Sequence, residues 1–286
     1  MTTAEELRIA VRELNNLPAM PVIAHKLLTL ELDTDEGERQ MMLLIEQDPL
    51  ISAKIIGLAN SPLIGASHKI TTVKEASLLL GLKKVKSVAT GIAMMTLVSR
   101  PIGRFDPQEF WLHNMAVAFA MLPVVRAMPS KLRPADDLIF LAGMLHDIGF
   151  LALAHLDSQL SDDLLTRMLI EPERPVTSIE DELMGISHAE LGAEFAQHWG
   201  LPSEIVAVLR YHHSPDAAGA DEGLPLARII NVTEKLLTAT GLHEFAGFQV
   251  SDAEWTALGI DPDDAEEIAS QAAEQADQAL QFAATF

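Results

Sequence analysis

Cysteine is absent from this 286-residue chain, so it can form neither a disulfide nor a thiolate metal site, and any metal must be bound by histidine and carboxylates. That absence is compatible with the bacterial cytoplasm, which is the location expected. Aromatic residues are scarce at 5%, with a single tyrosine, while Leu, Ala, Ile and Met dominate. Such a composition disfavours a β-sandwich and favours helices. No convincing strand alternation is present, and no Gly/Ser linker, low-complexity tract or repeat interrupts the chain. Positive charge is also short. Twenty Lys and Arg face 41 Asp and Glu, a formal charge of −21, which argues against sequence-independent binding to nucleic acid or to anionic lipid. No charged-then-apolar leader is expected at Met1–Asn15.

A hydrophobic content of 49% argues against disorder, and the length suffices for one large or two modest domains. Helical periodicity is nearly continuous, so the expected fold class is all-α. Candidate helices include Gln108–Met128, Asp136–Leu156, Ala189–Trp199, Ser203–His212, Leu224–Leu237 and Pro262–Phe282. Asp48 before Pro49 reads as an N-cap with proline at the first helical position, and Gly81 and Gly200 are placed to end helices. The Pro/Gly-containing stretch Arg100–Pro107 is the expected boundary between an N-terminal helical lobe (1–105) and a C-terminal lobe (106–286).

Charge is distributed unevenly. Residues 76–105 hold no acid but include Lys83, Lys84, Lys86, Arg100 and Arg104, whereas 251–286 hold nine acids and no Lys or Arg. These read as a solvated basic face and a solvated acidic helix, the alternative being a dedicated interaction surface.

The most informative stretch is LIFLAGMLHDIGFLALAHL, Leu138–Leu156, apolar or Gly except for His146, Asp147 and His155. An unpaired buried polar group costs about a few kcal/mol, and a bare charge neutralises rather than persist. His146 and Asp147 therefore need partners, and a divalent cation satisfies both together. The alternative is a metal-free, hydrogen-bonded buried pair. The run is long enough to raise a membrane question, but the ionisable pair sits at its centre, where lipid would penalise it most. It reads as a buried helix of a soluble protein.

The remaining histidines are ordered suggestively. His113 lies 33 residues upstream of His146 (146 − 113), His188 lies 42 downstream (188 − 146), and His212-His213 follow 24 beyond that (212 − 188). Helical metal sites are built in bundle cores from such residues. Adjacent residues on a helix point about 100° apart, so His212 and His213 can both ligate only if the helix ends there. His25, His68, His155, His198 and His243 read as structural or exposed, and Ala93-Met94-Met95 as core.

His113, His146-Asp147 in HDIG, His188 in HAELG and the His212-His213 pair resemble the HD superfamily of metal-dependent phosphohydrolases, in spacing most like the HD-GYP branch. The resemblance implies one metal held by the first His, the His-Asp pair and a later Asp, with the extra histidines bringing in a second. Glu234 in LARIINVTEKL, 21 residues past His213 (234 − 213), stands where that late carboxylate is expected. The implied metal ligands are His113, His146, Asp147, His188, His212, His213 and Glu234, N and O donors of the type preferred by Fe, Mn, Ni or Zn. LPAMP, DPLISAKIIGLANSP and ASLLLGLKKVKSVA narrow the resemblance to the HDOD family, the HD-related output domains of bacterial signalling proteins, over roughly Leu17 to Thr240.

Two departures matter. HD-GYP enzymes carry HDIGK, and Phe150 occupies the Lys position; HHSPDAAGADEGLP also lacks the GYP loop. The resemblance therefore implies a stand-alone signal-transduction domain that binds a signalling protein or a nucleotide. The other reading is a metal-dependent phosphohydrolase acting on a nucleotide or cyclic dinucleotide, but phosphate sites need cations, and residues 138–213 supply only Arg167, Arg174 and Arg210.

Overall fold

The computed structural model describes residues 4–13, 17–237, 244, 245 and 248–284. Among these the chain is all-helical, and its only β-pairing is an isolated bridge between Ile102 and Phe105. The N-terminal helices are α1 (Ala4–Arg12), α2 (Val22–Thr29), α3 (Asp35–Gln47), α4 (Pro49–Ala59), α5 (Val73–Leu80) and α6 (Leu82–Met94). Next come α7 (Pro107–Ala127), α8 (Asp136–Leu145), α9 (Ile148–Leu156), α10 (Ser158–Ile170) and α11 (Val176–Met184). The series ends with α12 (His188–His198), α13 (Ser203–Tyr211), α14 (Leu226–Leu236), α15 (Asp252–Ala257) and α16 (Ala265–Ala283).

Local chemistry explains the boundaries. Asp48 accepts hydrogen bonds from the Leu50 and Ile51 amides ahead of Pro49, and Asp106 does the same for the Gln108 amide ahead of Pro107. Gly81, at φ 86°, joins α5 to α6 through a conformation that a side chain would oppose. Helix α15 was not expected from periodicity. It is short, and a capping box holds its start, with Ser251 and Glu254 bonded to each other's backbone amides.

Helix α7 is the axis of the molecule. It is apolar on nearly every face and packs against α8, α14 and α16. The acidic α16 turns Ile268, Ala272, Ala276, Ala279 and Ala283 inward, and these small residues let it lie close to α7. Helix α6 packs on α8 and α2, and α12 packs on α9 and α13. The N-terminal α1 reaches across to α12, where Arg8 pairs with Glu190 at 2.9 Å. Buried side chains from α1 to α16 form one contiguous cluster.

The expected Asp136–Leu156 helix is broken. Helix α8 stops at Leu145 and α9 starts at Ile148, with His146 and Asp147 in the turn between them. By length and composition, Pro107–Ala127 and Asp136–Leu156 are apolar enough to cross a membrane, but both are mostly buried inside this fold.

Candidate metal centre

The break between α8 and α9 is what makes a site. On a continuous helix His146 and Asp147 would diverge by about 100°; in the turn both face one interior point. Asn114 of α7 donates to the Met144 carbonyl at 3.1 Å and so holds the turn from below. Helix α13 also ends at Tyr211, which lets His212 and His213 share a direction, and Asn231 of α14 anchors the His212 carbonyl at 2.7 Å. His188 opens α12 just after the N-cap Ser187. Its approach depends on Gly149, because a methyl there would collide with the His188 carbonyl.

All seven expected ligands converge. In the first cluster the Glu234 Oε1 atom lies 3.2 Å from His113 Nε2 and 3.0 Å from His146 Nε2. Asp147 Oδ2 stands 3.4 and 3.3 Å from the same two nitrogens. In the second, His188 Nε2 is 3.2 Å from His212 Nε2 and 3.1 Å from His213 Nε2. Asp147 Oδ1 lies 3.6 Å from His188 Nε2 and 3.7 Å from His212 Nε2. Asp147 therefore presents one oxygen to each cluster. Glu244, which sequence reasoning did not single out, completes the second with Oε2 2.8 Å from His213 Nε2.

These spacings test the fit of a cation. Atoms about 2.0–2.2 Å from one ion, and 90–109° apart, are separated from each other by roughly 2.8–3.6 Å. The distances above fall within that range except Asp147 Oδ1 to His212 Nε2, which at 3.7 Å lies just beyond it. Neither Asp147 oxygen has a hydrogen-bond partner among the described residues, although the side chain is fully buried. The outer nitrogens tell the same story. His146 Nδ1 donates to the Gly143 carbonyl at 2.8 Å, His212 Nδ1 to the Leu209 carbonyl at 2.8 Å, and His188 Nδ1 to Glu180 Oε1 at 2.7 Å. That tautomer turns three Nε2 lone pairs toward the clusters. Facing nitrogens of this kind repel unless a cation, or a proton as on His146 toward Glu234, sits between them and their neighbours.

Protonation follows from the same geometry. Burial alone would lower His113 and His146, but the charges of Glu234 and Asp147 outweigh it and raise both to about 10. Despite burial, those imidazolium neighbours hold Asp147 well below its usual range and Glu234 at about 2. Burial and nearby imidazoles lower His212 to about 3 and push His213 down as well. Burial, with Asp147 and Glu234 close by, raises Glu244 well above the ordinary carboxylate range. The first cluster thus carries positive charge as protons when no metal is present. In the second, His212 and His213 offer neutral nitrogens, whereas at His188 burial is outweighed by the charge of Glu180, which raises it.

Donor number decides what chemistry is accessible. Three donors converge in the first cluster (His113, His146, Glu234) and four in the second (His188, His212, His213, Glu244), and Asp147 lies between them with one oxygen 3.3–3.7 Å from histidines of each. Such a donor number closes a tetrahedral Zn²⁺ shell but leaves a position open on a six-coordinate Fe, Mn or Ni ion, and an open position is what catalysis needs. Phe150 is buried and stacks on the His188 ring at 4.2 Å and 14°, filling the place where the resemblance would put a phosphate-binding Lys. Arg167, Arg174 and Arg210 are all paired with carboxylates of Glu171, Glu182 or Glu194. His25, His68 and His198 are exposed, and His155 is half-buried and bonded to the Leu151 carbonyl. His243 lies outside the described residues.

Two participants were missed. Glu244 is an isolated carboxylate in the apolar stretch from Leu236 to Val250, the signal that marked His146-Asp147, and it went unused because that stretch has no helical period. Glu180 orients His188, but in sequence it sits among Asp181 and Glu182, which are exposed, and nothing distinguishes it from them.

A family model for the HDOD domain matches residues 17–215. The chain is similar to a crystal structure from Marinobacter aquaeolei VT8, provisionally named for signal transduction. That match has 26% identity and a TM-score of 0.76, and covers 94% of this chain and 59% of the other. A Shewanella amazonensis SB2B structure, provisionally named a phosphohydrolase, shares the fold at 22% identity and a TM-score of 0.71, with 97% and 96% covered. An uncharacterized protein of Treponema pallidum (strain Nichols) is 23% identical over 214 residues, which are 72% of this chain and 40% of that protein. The chain thus spans well under two thirds of the Marinobacter and Treponema proteins. With the domain model spanning most of the helical core and all three of the His-bearing motifs from His146-Asp147 to His212-His213, this chain belongs to the HDOD family.

Proposed function

We propose that this chain is a regulatory HDOD domain whose divalent cations, of the Fe, Mn, Ni or Zn type, fix the geometry of the core, and that it acts by binding a signalling protein or a nucleotide. The observation that carries this reading is Phe150, which fills the slot beside His188 where the resemblance would put a phosphate-binding Lys. Every candidate ligand but His213 is buried. The name of the Marinobacter relative accords with a signalling role. Among the described residues, a cleft of about 540 Å³ lined by His213, Glu244, Phe245 and Asn231 opens onto the second cluster. That volume suits a nucleotide-sized molecule. Its two cations are engaged, Arg228 with Asp216 at 2.8 Å and Lys235 with Glu254, so a phosphate would have to displace those pairs.

The same cleft supports a second reading. A cation bound beside His213 would lower the pKa of a coordinated water toward 7 and clamp a phosphoryl group, as in a metal-dependent phosphohydrolase. The test is elemental analysis of protein purified without chelator or His-tag, followed by binding and turnover assays on cyclic dinucleotides and nucleoside phosphates. Metal with binding but without turnover supports regulation. Turnover of order 1 s⁻¹ that disappears in His146→Ala overturns it.

A further inference from the structure

The basic stretch of α6 has no part in the metal centre, and its Lys84 lies at the mouth of a separate cavity. This cavity of about 150 Å³ opens where the turn after α4 meets α6, α7 and α8. Its interior is apolar, formed by Leu63, Val88, Phe119, Leu122 and Phe140. Its rim carries three cations, Lys84, Arg126 and Arg133, and one acid, Asp136. In a chain of net charge −21, a rim with two more cations than acids is a local inversion of sign.

These cations are differently held. Arg133 Nε and Nη2 donate to the Met128 and Arg126 carbonyls at 3.0 and 2.6 Å, which pins the guanidinium at the end of α7. Neither Lys84 nor Arg126 has a carboxylate within ion-pair distance among the described residues. Elsewhere in the molecule Arg8, Arg39, Arg167, Arg174, Arg210 and Arg228 all do. Two free cations beside an apolar hole make a site with a particular preference. Its floor takes hydrocarbon, and its rim takes one negative charge.

We propose that this cavity binds a small amphipathic anion, an organic carboxylate whose apolar end fills the hole between α6, α7 and α8 while its head lies against Lys84 and Arg126. Size limits the class: an apolar cavity of about 150 Å³ accommodates roughly a benzene-sized group, so a medium-length chain fits and a long one does not. Occupancy would tie the N-terminal helices, through Leu63 and Val88, to the helices that carry His113 and His146. The inference does not depend on the metal centre.

Calorimetric titration of the full chain with butanoate, hexanoate, octanoate and octan-1-ol tests it. Affinity should rise about fourfold for each buried methylene, level off once the cavity is full, and be at least tenfold weaker for the uncharged alcohol than for octanoate. In Lys84→Ala/Arg126→Ala, octanoate should bind about tenfold more weakly or worse, with octan-1-ol unaffected. Equal binding of octanoate and octan-1-ol by the unmodified chain would overturn the proposal, as would failure to detect octanoate binding at millimolar concentration. So would a folded double variant that binds octanoate like the parent. The comparison of acid with alcohol decides the matter even if the double variant fails to fold.

Discussion

Replacing Asp147 with asparagine keeps the shape of the side chain and removes its charge. Because Asp147 Oδ2 faces His113 and His146 while Oδ1 faces His188 and His212, one substitution damages both clusters. A neutral amide is a poor ligand, and its NH₂ group would point a donor into one of them. The consequence can be read as stability. A cation bound only by the folded chain, and present at 100 times its dissociation constant, stabilises by about 2.7 kcal/mol. In a chain of this size each kcal/mol moves Tm by roughly 2–4 °C, so Mn²⁺ or Fe²⁺ should raise the melting temperature of the unmodified protein by roughly 5–10 °C. Asp147→Asn should show almost none of that rise. Thermal unfolding with and without metal measures it, each protein being compared with itself so that any change in the metal-free fold cancels. A variant that keeps the full shift, or an unmodified chain that shows none with either ion, would refute the bridging role.

Other outcomes follow from the same geometry. Gly149→Ala should lower stability by about 1–3 kcal/mol through overpacking against the His188 carbonyl, and should also weaken metal binding; denaturant titration and metal analysis check both. Metal-free protein should respond to pH in a defined sense. His113 and His146 stand at about 10 in the fold against 6.5 normally, so their contribution is complete below pH 6.5 and lost as pH rises through about 10. Glu234, at about 2 against 4.5, contributes above pH 4.5 and loses it as pH falls through about 2. Urea unfolding across pH 3–10 should therefore show these groups' largest contribution between about 4.5 and 6.5. Glu244→Gln should reduce metal content while leaving the first cluster loaded, and an unchanged content would remove Glu244 from the ligand set. Phe150→Lys should not create cyclic di-GMP turnover, since it puts an ammonium into the apolar slot beside His188.

The ligand set was legible because ionisable residues inside apolar helices are costly and therefore conspicuous. His146 and Asp147 announce themselves this way, His113, His188 and the His212-His213 pair through their spacing, and Glu234 only through the family resemblance; helical punctuation such as Asp48-Pro49 and Gly81 was equally plain. What escaped the sequence depends on tertiary context. Periodicity runs straight through His146-Asp147, so the break between α8 and α9 is visible only once the two side chains need a common focus. Glu244 reaches the second cluster from a stretch without regular period. Helix α15 is held by its Ser251–Glu254 capping box rather than by a long apolar stripe.

The central claim is that each of the two clusters holds a cation. Elemental analysis of untagged protein purified without chelator, with His188→Ala and Glu234→Ala prepared alongside, tests it most directly. The account predicts about two transition-metal ions per chain, falling to about one in each variant because each removes a ligand of a different cluster. A metal-free parent, or variants that retain the parent's full content, would contradict it.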